Sequence, residues 1–226
     1  MKIIALLFAL FLSASSAQAE LYTRADRRGE NAPVSVSEDL PTLVHYLIEP
    51  FDTDKQKARS LLSWIVYHID YDDAQYQAYK DLTYKTKRGI QRFVKNWNTG
   101  DIFITRVGMC RDIAELYQRM LLIAGLDASV VTGDVEQGPH AWTAVKIDGK
   151  WLFVDPTWAM RGKKYIDGSE TQDVFGHKQM IKKRTKGDRE ALKKREGRSM
   201  ADEWFLVPAH KMKKTHKPDD ARWLKP

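Results

Sequence analysis

Apolar residues recur at helical spacing in three stretches of this chain, and capping residues flank them. The three stretches lie at residues 40–47, 54–69 and 113–124. Ser37-Glu38-Asp39 precedes the first stretch and Asp52-Thr53-Asp54 precedes the second, and both are typical of helix N-termini. Gly125 follows the third stretch and suits a C-terminal cap. The pattern therefore predicts three amphipathic helices.

Beyond Gly125 the pattern changes to β-branched and alternating residues, which predicts an antiparallel sheet. The predicted strands lie at residues 128–132, 141–147 and 151–154. Asp148-Gly149 joins the last two and suits a two-residue hairpin turn. With this turn, position 142 lies opposite Asp155, and His140 becomes the diagonal neighbour of Asp155 on one face of the hairpin.

Three segments carry no clear period. Residues 20–36 are polar and are predicted to form an irregular arm, and residues 73–105, rich in Tyr, Lys and Asn, predict no definite element. Residues 161–198 hold 13 Lys or Arg against 6 Asp or Glu, in a chain whose formal charge is +7. We interpret this last segment as a basic insertion, with a short helix predicted at 188–194.

The first 19 residues have the pattern of a secretory signal peptide. Lys2 gives a basic start, an apolar run follows from Ile3 to Leu12, and Ala17-Gln18-Ala19 is a small-x-small cleavage site. The run is too short to span a bilayer, which takes about 20 residues, and no second apolar stretch approaches that length. We therefore expect export to the periplasm or extracellular space, a product that begins at Glu20, and no transmembrane segment.

The composition includes one cysteine, which limits the possible thiol chemistry to a single residue. Apolar residues make up 43% of the chain, which suits a folded domain, and Cys110 is its one cysteine. One cysteine excludes an intrachain disulfide and a Cys-rich zinc site. A spare thiol in an oxidising compartment tends to be oxidised. Cys110 is therefore either a small buried apolar residue or a functional thiol.

Cys110 falls in the first turn of the third predicted helix, where unpaired N–H groups and the helix dipole favour a thiolate. The same N–H groups can hold a developing oxyanion. A thiol nucleophile also needs a base and a group that orients the base, and the predicted hairpin places His140 near Asp155. Each residue alone has a simpler structural explanation, but together they supply the three roles of a catalytic triad.

Other candidate residues give weaker signals. The acidic run at 70–73 lacks the ligand spacing of a calcium loop. His210 and His216 lie in a Lys-rich tail with no carboxylate or thiol at the spacing of a metal site, so we expect neither a metal nor a cofactor. The basic insertion has few interleaved aromatics, so we expect no nucleic-acid partner. The remaining histidines are assigned no role: His45, His68 and His177.

Three motifs, in this order, resemble the transglutaminase-like superfamily. They are Gly108-Met109-Cys110-Arg111-Asp112, His140-Ala141-Trp142 and Trp151-Leu152-Phe153-Val154-Asp155-Pro156-Thr157-Trp158. Ile69-Asp70-Tyr71-Asp72 resembles a segment of bacterial and kyphoscoliosis-peptidase-like members, and the ending of the chain is also similar to the family. That ending comprises Trp204-Phe205, Pro208, His216, Pro218 and Trp223-Leu224. The likeness covers residues 54–160 and 203–226.

The resemblance implies an α+β fold with a papain-like core, in which N-terminal helices precede a nucleophile helix packed on an antiparallel β-sheet. It implies that Cys110 is the nucleophile, His140 the base and Asp155 the orienting acid. We accordingly divide the chain into a signal peptide, an N-terminal arm and helix, and a catalytic domain that carries the basic insertion. These divisions are residues 1–19, 20–53 and 54–226, with the insertion at 161–198.

We expect an exported enzyme that attacks a peptide or glutamine-type amide, forms a thioester and resolves it with water or an amine. Its substrate would be a protein or peptide, and export makes cell-wall peptides reasonable. The alternative is a catalytically silent binding module that uses residues 161–198 to bind an anionic partner. The second oxyanion donor is open between Trp64, Tyr71 and Trp97, each of which could instead be a core or exposed aromatic residue.

Overall fold

A computed structural model gives the fold for residues 22–72, 99–161 and 198–224. The expected signal peptide lies outside these ranges, as do the predicted helix at 188–194 and most of the two long segments. His177 and Trp97 also lie outside them.

The α-helices in the described ranges are α1 (22–30), α2 (Leu40–Ile48), α3 (Asp54–His68), α4 (Thr99–Thr105), α5 (Cys110–Ile123), α6 (Pro156–Ala159) and α7 (Ala209–Met212). Asp39 accepts a hydrogen bond of 2.8 Å from Thr42 N, and Thr53 and Gln56 bind each other's backbone N–H groups. Helices α2 and α3 therefore begin where their capping residues predict. None of the helices described here is both long enough and apolar enough to cross a bilayer.

Helix α1 corrects the prediction of an irregular arm over residues 20–36. An added Cβ on Gly29 would lie 2.5 Å from the backbone nitrogen of Trp64, so α1 crosses α3 in close contact. Arg59 of α3 binds Asp26 of α1 through hydrogen bonds of 2.6 and 2.8 Å. Because a small residue and an ion pair make this contact, the arm has no apolar period that a sequence pattern would reveal.

The strands are β1 (Asp70–Tyr71), β2 (Val107–Gly108), β3 (Ala128–Val135), β4 (Gly138–Ile147), β5 (Lys150–Val154), β6 (Met160–Arg161), β7 (Ser199–Met200) and β8 (Lys217–Pro218). Four of them form one antiparallel sheet in the order β5-β4-β3-β8. In the β4–β5 hairpin Thr143 pairs with Val154, which is the predicted register. Asp148 and Gly149 both have positive φ, 50° and 76°, as a two-residue type I′ turn requires.

Both faces of this sheet are covered. Alternate residues of β4 and β5 point to opposite sides of the sheet, so each face has its own set of side chains. Helix α5 packs on the first side, the helix face, whose strand residues are Val145, Ile147 and Val154. The second side, the C-terminal face, carries Trp142, Ala144 and Phe153, which pack with Val207 and Met212. The mixed architecture confirms the predicted α+β fold, with α5 packed on an antiparallel sheet.

Candidate active site

Cys110 is the first residue of α5, and its side chain is half-buried. Asp112 closes the start of the helix, because its Oδ2 accepts a hydrogen bond of 2.9 Å from Met109 N. At this end of a helix the backbone N–H groups have no partner within the helix. The thiol therefore lies where the sequence predicts it, at the positive end of the helix dipole.

Two short strands position the residues that directly precede Cys110. Strand β2 pairs in parallel with β1, so that Gly108 lies beside Tyr71. An added Cβ on Gly108 would lie 2.5 Å from Cδ1 of Ile102 and 3.0 Å from Cβ of Asp112. A side chain at this position would require Ile102 and Asp112 to shift, so Gly108 lies in a closely packed turn next to Cys110.

His140 lies in β4 and is largely buried, with its Nε2 2.7 Å from Asp155 Oδ2. An ionised carboxylate can only accept, so Nε2 carries a proton. Nδ1 is then the ring nitrogen available to Cys110, and Cys110 lies near enough to contribute to the raised pKa of His140. The structure thus brings the thiol, the imidazole and the carboxylate together in the order that the sequence predicts.

The charge on His140 follows from these neighbours. Burial opposes a charged ring, but the charge and hydrogen bond of Asp155, with further contributions from Cys110, raise the pKa of His140 to about 10. His140 is therefore an imidazolium at neutral pH.

Asp155 is completely buried and caps the short helix α6. Its Oδ1 accepts hydrogen bonds from the backbone N–H groups of Thr157 (2.9 Å) and Trp158 (3.0 Å). Burial opposes ionisation, but the charge and hydrogen bond of His140, with further hydrogen bonds to the carboxylate, hold the pKa of Asp155 well below its ordinary value. Because β5 ends one residue earlier, Asp155 leaves the sheet, and its carboxylate meets His140 directly rather than as a diagonal strand neighbour.

His216 contacts the same carboxylate, and the sequence pattern gave no indication of this. Its ring is completely buried, with Nε2 3.1 Å from Asp155 Oδ2. The sequence around His216 has no carboxylate at the spacing of a metal site, and the carboxylate that the ring contacts in the fold is that of Asp155. The partner lies 61 residues away along the chain, so local spacing could not reveal it. The available signal was the place of His216 in the family-like ending.

Aromatic rings enclose this hydrogen-bonded group. The His140 ring stacks beside Trp158 and Trp142, at centroid distances of 5.5 and 6.2 Å. Trp204 meets Trp158 edge-on at 4.7 Å, and its ring centroid lies 5.5 Å from that of His216. Apolar rings lower the local dielectric constant and so strengthen the charged hydrogen bonds that they surround.

The cluster also has the composition of a metal site. His140, Asp155 and His216 offer ligand atoms that all lie within 4.8 Å of one another. Both Nε2 atoms, however, are at direct hydrogen-bond distance from one carboxylate oxygen. Because each Nε2 donates a proton to that oxygen, neither nitrogen has a lone pair for a metal ion. We therefore interpret the cluster as hydrogen-bonded.

The candidates for a second oxyanion donor have different surroundings. Trp64 is completely buried, and its ring stacks on His68 and under the Arg106 guanidinium, which supports a core role. Tyr71 lies in β1, beside the strand that leads to the thiol, and stays a candidate. Trp97 lies outside the described residues.

The remaining polar residues considered from the sequence lie away from this cluster or have structural partners. His45 and His210 are exposed. His68 Nε2 contacts backbone carbonyl oxygens of α1 and so ties α1 to α3. Asp70, from the acidic run, forms an ion pair with Arg198.

Comparisons with known proteins agree with the motifs. A family model of the transglutaminase-like superfamily matches residues 41–156. The kyphoscoliosis peptidase of Homo sapiens is 31% identical over 154 residues, which are 63% of this chain and 21% of the human protein. The kyphoscoliosis peptidase of Mus musculus is 29% identical, with the same shares of both chains. This chain therefore spans about a fifth of the length of these relatives.

A solved structure is similar over a larger part of this chain. The crystal structure of a TGase aligns with a TM-score of 0.43 and 21% identity, over 70% of this chain and 41% of that one. The range matched by the family model contains Cys110, His140 and Asp155 and ends before His216.

Proposed function

This chain belongs to the transglutaminase-like superfamily, and we propose that it is an exported cysteine-dependent enzyme that transfers acyl groups from peptide or glutamine-type amides. The observation that carries the proposal is the position of His140, which is hydrogen-bonded to Asp155 at 2.7 Å and lies near enough to Cys110 for the thiol to influence its pKa. A thiol nucleophile, its base and an orienting carboxylate require this arrangement. The fold indicates a protein or peptide substrate, and export makes cell-wall peptides the first class to test.

The proposed reaction begins from an ion pair. The His140 imidazolium stabilises a thiolate on Cys110. Sγ attacks the amide carbonyl carbon, and the new C–S bond produces a tetrahedral oxyanion that the N–H groups at the start of α5 can stabilise. As the C–N bond breaks, His140 Nδ1 gives its proton to the leaving nitrogen. The products of this half-reaction are a thioester and a free amine.

The second half-reaction releases the acyl group. Water or an amine attacks the thioester carbonyl while the neutral His140 takes a proton from the attacking group. The C–S bond then breaks and the Cys110 thiolate returns. Water gives peptidase or amidase activity, and an amine gives transglutaminase activity. In both, Asp155 stabilises the imidazolium and keeps Nδ1 toward the sulfur atom.

Product analysis tests this proposal. Extracytoplasmic proteins are incubated with a biotinylated primary amine and the wild-type, Cys110→Ala or His210→Ala protein. Incorporated label indicates transamidation, and new N-termini found by mass spectrometry indicate hydrolysis. We expect one of these with the wild type and with His210→Ala, whose side chain is exposed, and neither with Cys110→Ala. Equal turnover by Cys110→Ala excludes the thiol mechanism.

The same experiment distinguishes the enzyme from the binding module. A wild-type protein without turnover, but with salt-sensitive retention on a heparin column that is lost on deletion of residues 161–198, would support the module. Cell fractionation and N-terminal sequencing test export separately. We expect an extracytoplasmic product that begins at Glu20, and an uncleaved cytoplasmic product would contradict this part of the proposal.

A further inference from the structure

The proposed mechanism uses Cys110, His140 and Asp155 and gives His216 no task. The His216 ring is nevertheless completely buried, as Asp155 is, and it touches the same carboxylate oxygen that His140 touches. A histidine buried for its volume alone would not need this contact, because an apolar ring would fill the space. The partners of its two nitrogens therefore indicate what it does.

Both nitrogens of His216 have polar partners. Nε2 donates to Asp155 Oδ2, at 3.1 Å. Nδ1 lies 2.8 Å from the Thr215 hydroxyl oxygen, which is also 3.3 Å from the carbonyl oxygen of Met212. The hydroxyl donates its proton to that carbonyl oxygen and is also the polar partner of Nδ1. The centroid of the His216 ring lies 5.7 Å from that of His140.

His216 completes the hydrogen bonding of Asp155. Oδ1 accepts from two backbone N–H groups, and Oδ2 accepts from His140 and His216. A carboxylate has about four acceptor positions, so every position is occupied and the group cannot rotate without losing a bond. Without His216, Oδ2 would have His140 as its one remaining partner among these donors, and both side chains could take other rotamers.

His140 and His216 are both positioned by strands of the same sheet. Gly133 of β3 pairs with His140 of β4 on one side and with Pro218 of β8 on the other. A Cβ on Gly133 would collide with the carbonyl oxygen of Lys217, so glycine allows β8 to lie this close. His216 directly precedes β8, and its distance from His140 is therefore set by the strand spacing.

We infer that His216 is a positioning residue for the proposed acyl transfer: its Nε2–H holds Asp155, and Asp155 holds His140 with Nδ1 toward Cys110. The inference rests on the proposed function for its catalytic consequence, but the hydrogen-bond chain can be tested without a substrate. A packing role needs only the volume of the ring, whereas a positioning role needs the donor.

NMR of ¹⁵N-labelled histidine side chains in the whole protein gives the direct test. The wild type should show slowly exchanging Nε2–H protons from both His140 and His216. His216→Phe keeps the ring volume and removes the donor, and it should speed exchange at His140 roughly tenfold, as loss of a hydrogen bond to a charged group implies. His216→Gln, whose amide can donate to the same oxygen, should restore most of the protection. His210→Phe, at an exposed position, should change nothing.

Alkylation of Cys110 by iodoacetamide at pH 7 adds a chemical readout. We expect the rate to fall about tenfold in His216→Phe and to stay within about twofold of the wild type in His216→Gln. Thr215→Val leaves the ring in place and removes the hydroxyl partner of Nδ1, and it replaces His216→Phe if that variant does not fold. It should change both readouts in the same direction by a smaller factor.

A folded His216→Phe protein with wild-type exchange and alkylation would overturn the inference. Equal losses in His216→Phe and His216→Gln would also overturn it, because they would mark a packing role. Both outcomes leave the proposed function standing. Conversely, a wild type that shows the protected protons but no acyl transfer would overturn the proposed function and leave the hydrogen-bond chain in place.

Discussion

The two faces of the sheet are closed by different means. On the helix face, buried aliphatic side chains such as Val145 and Leu116 belong to one hydrophobic cluster. On the C-terminal face, Trp142 and its neighbours pack with a segment of short elements, and His140, which shares the strand parity of Trp142, enters a buried hydrogen-bond cluster. Apolar burial has no preferred direction, whereas each hydrogen bond depends on one donor and one acceptor. We therefore expect substitutions on the two faces to affect stability and chemistry separately.

The largest effect is expected from Asp155→Asn, in the hydrogen-bond cluster. Asparagine has the same shape, but its NH₂ group would face the two imidazole N–H groups, and His140 would have to change its tautomer or turn away. We expect the acyl-transfer rate to fall by about 10⁴-fold while circular dichroism shows a retained fold. Initial rates in the amine-incorporation and hydrolysis assays measure this, and a rate within tenfold of the wild type would contradict the proposed role.

Leu116→Ala, on the helix face, is expected to have a smaller effect, on stability rather than on the acyl-transfer rate. Leu116 is completely buried, and its truncation leaves a cavity, so the free energy of unfolding should fall by about 2–5 kcal/mol. The rate per folded molecule should not change. Urea unfolding measures the loss, with Leu122→Ala as a control, because Leu122 lies on the same helix and is 52% exposed. A tenfold lower rate in folded Leu116→Ala would show that the two faces are coupled.

Asp112 allows a test of the helix face by pH, because it is a buried acid in the helix that covers this face. Burial raises the pKa of Asp112 to about 7, although the hydrogen bond from Met109 N opposes the shift. Between about pH 4 and 7 the folded protein holds a proton that the unfolded chain has lost. Stability should therefore fall as the pH rises through this range.

Asp112→Asn keeps an acceptor for Met109 N and removes this titration. The loss of unfolding free energy between pH 5 and pH 8 should shrink by about 2 kcal/mol relative to the wild type. Asp127→Asn, at an exposed position, should leave the loss unchanged. The test fails if both variants show the wild-type pH dependence.

The pH dependence of the wild type has to be compared with that of Asp112→Asn, because the contribution of His140 to stability also changes between pH 5 and pH 8. Its pKa is raised to about 10, so its stabilising contribution is complete below about pH 6.5 and is lost as the pH rises through 10. The contribution of Asp155, whose pKa is lowered, is present above about pH 4 and is lost as the pH falls further. Both contributions are common to the wild type and Asp112→Asn, and they cancel in the difference.

The parts of the fold that the sequence predicts are set by residues close together in the chain. The capping residues of α2 and α3 act within one turn, and the Asp148-Gly149 turn fixes the register of β4 and β5. Cys110 at the start of α5 follows from the same local reasoning. These features could be predicted because short-range geometry determines them.

The parts that the sequence does not predict depend on contacts between distant segments. Helix α1 is held by the close approach of Gly29 to α3 and by the Arg59–Asp26 ion pair, neither of which gives an apolar period. His216 reaches Asp155 because β8 pairs with β3. A polar residue in an irregular segment carries no local sign that tertiary structure will bury it.

The pairing of β6 with β7 has a consequence for how such a protein can diversify. Arg161 pairs with Ser199, so these two residues, far apart in the sequence, lie opposite each other in one ladder. Arg198, which directly precedes β7, donates hydrogen bonds to backbone carbonyl oxygens at the end of α3. Because the entropy of closing a chain segment grows only slowly with its length, a change in the number of residues between these two positions costs the ladder little. The length of the chain between β6 and β7 can therefore vary in evolution while their pairing and the hydrogen-bonded group around Asp155 stay as they are.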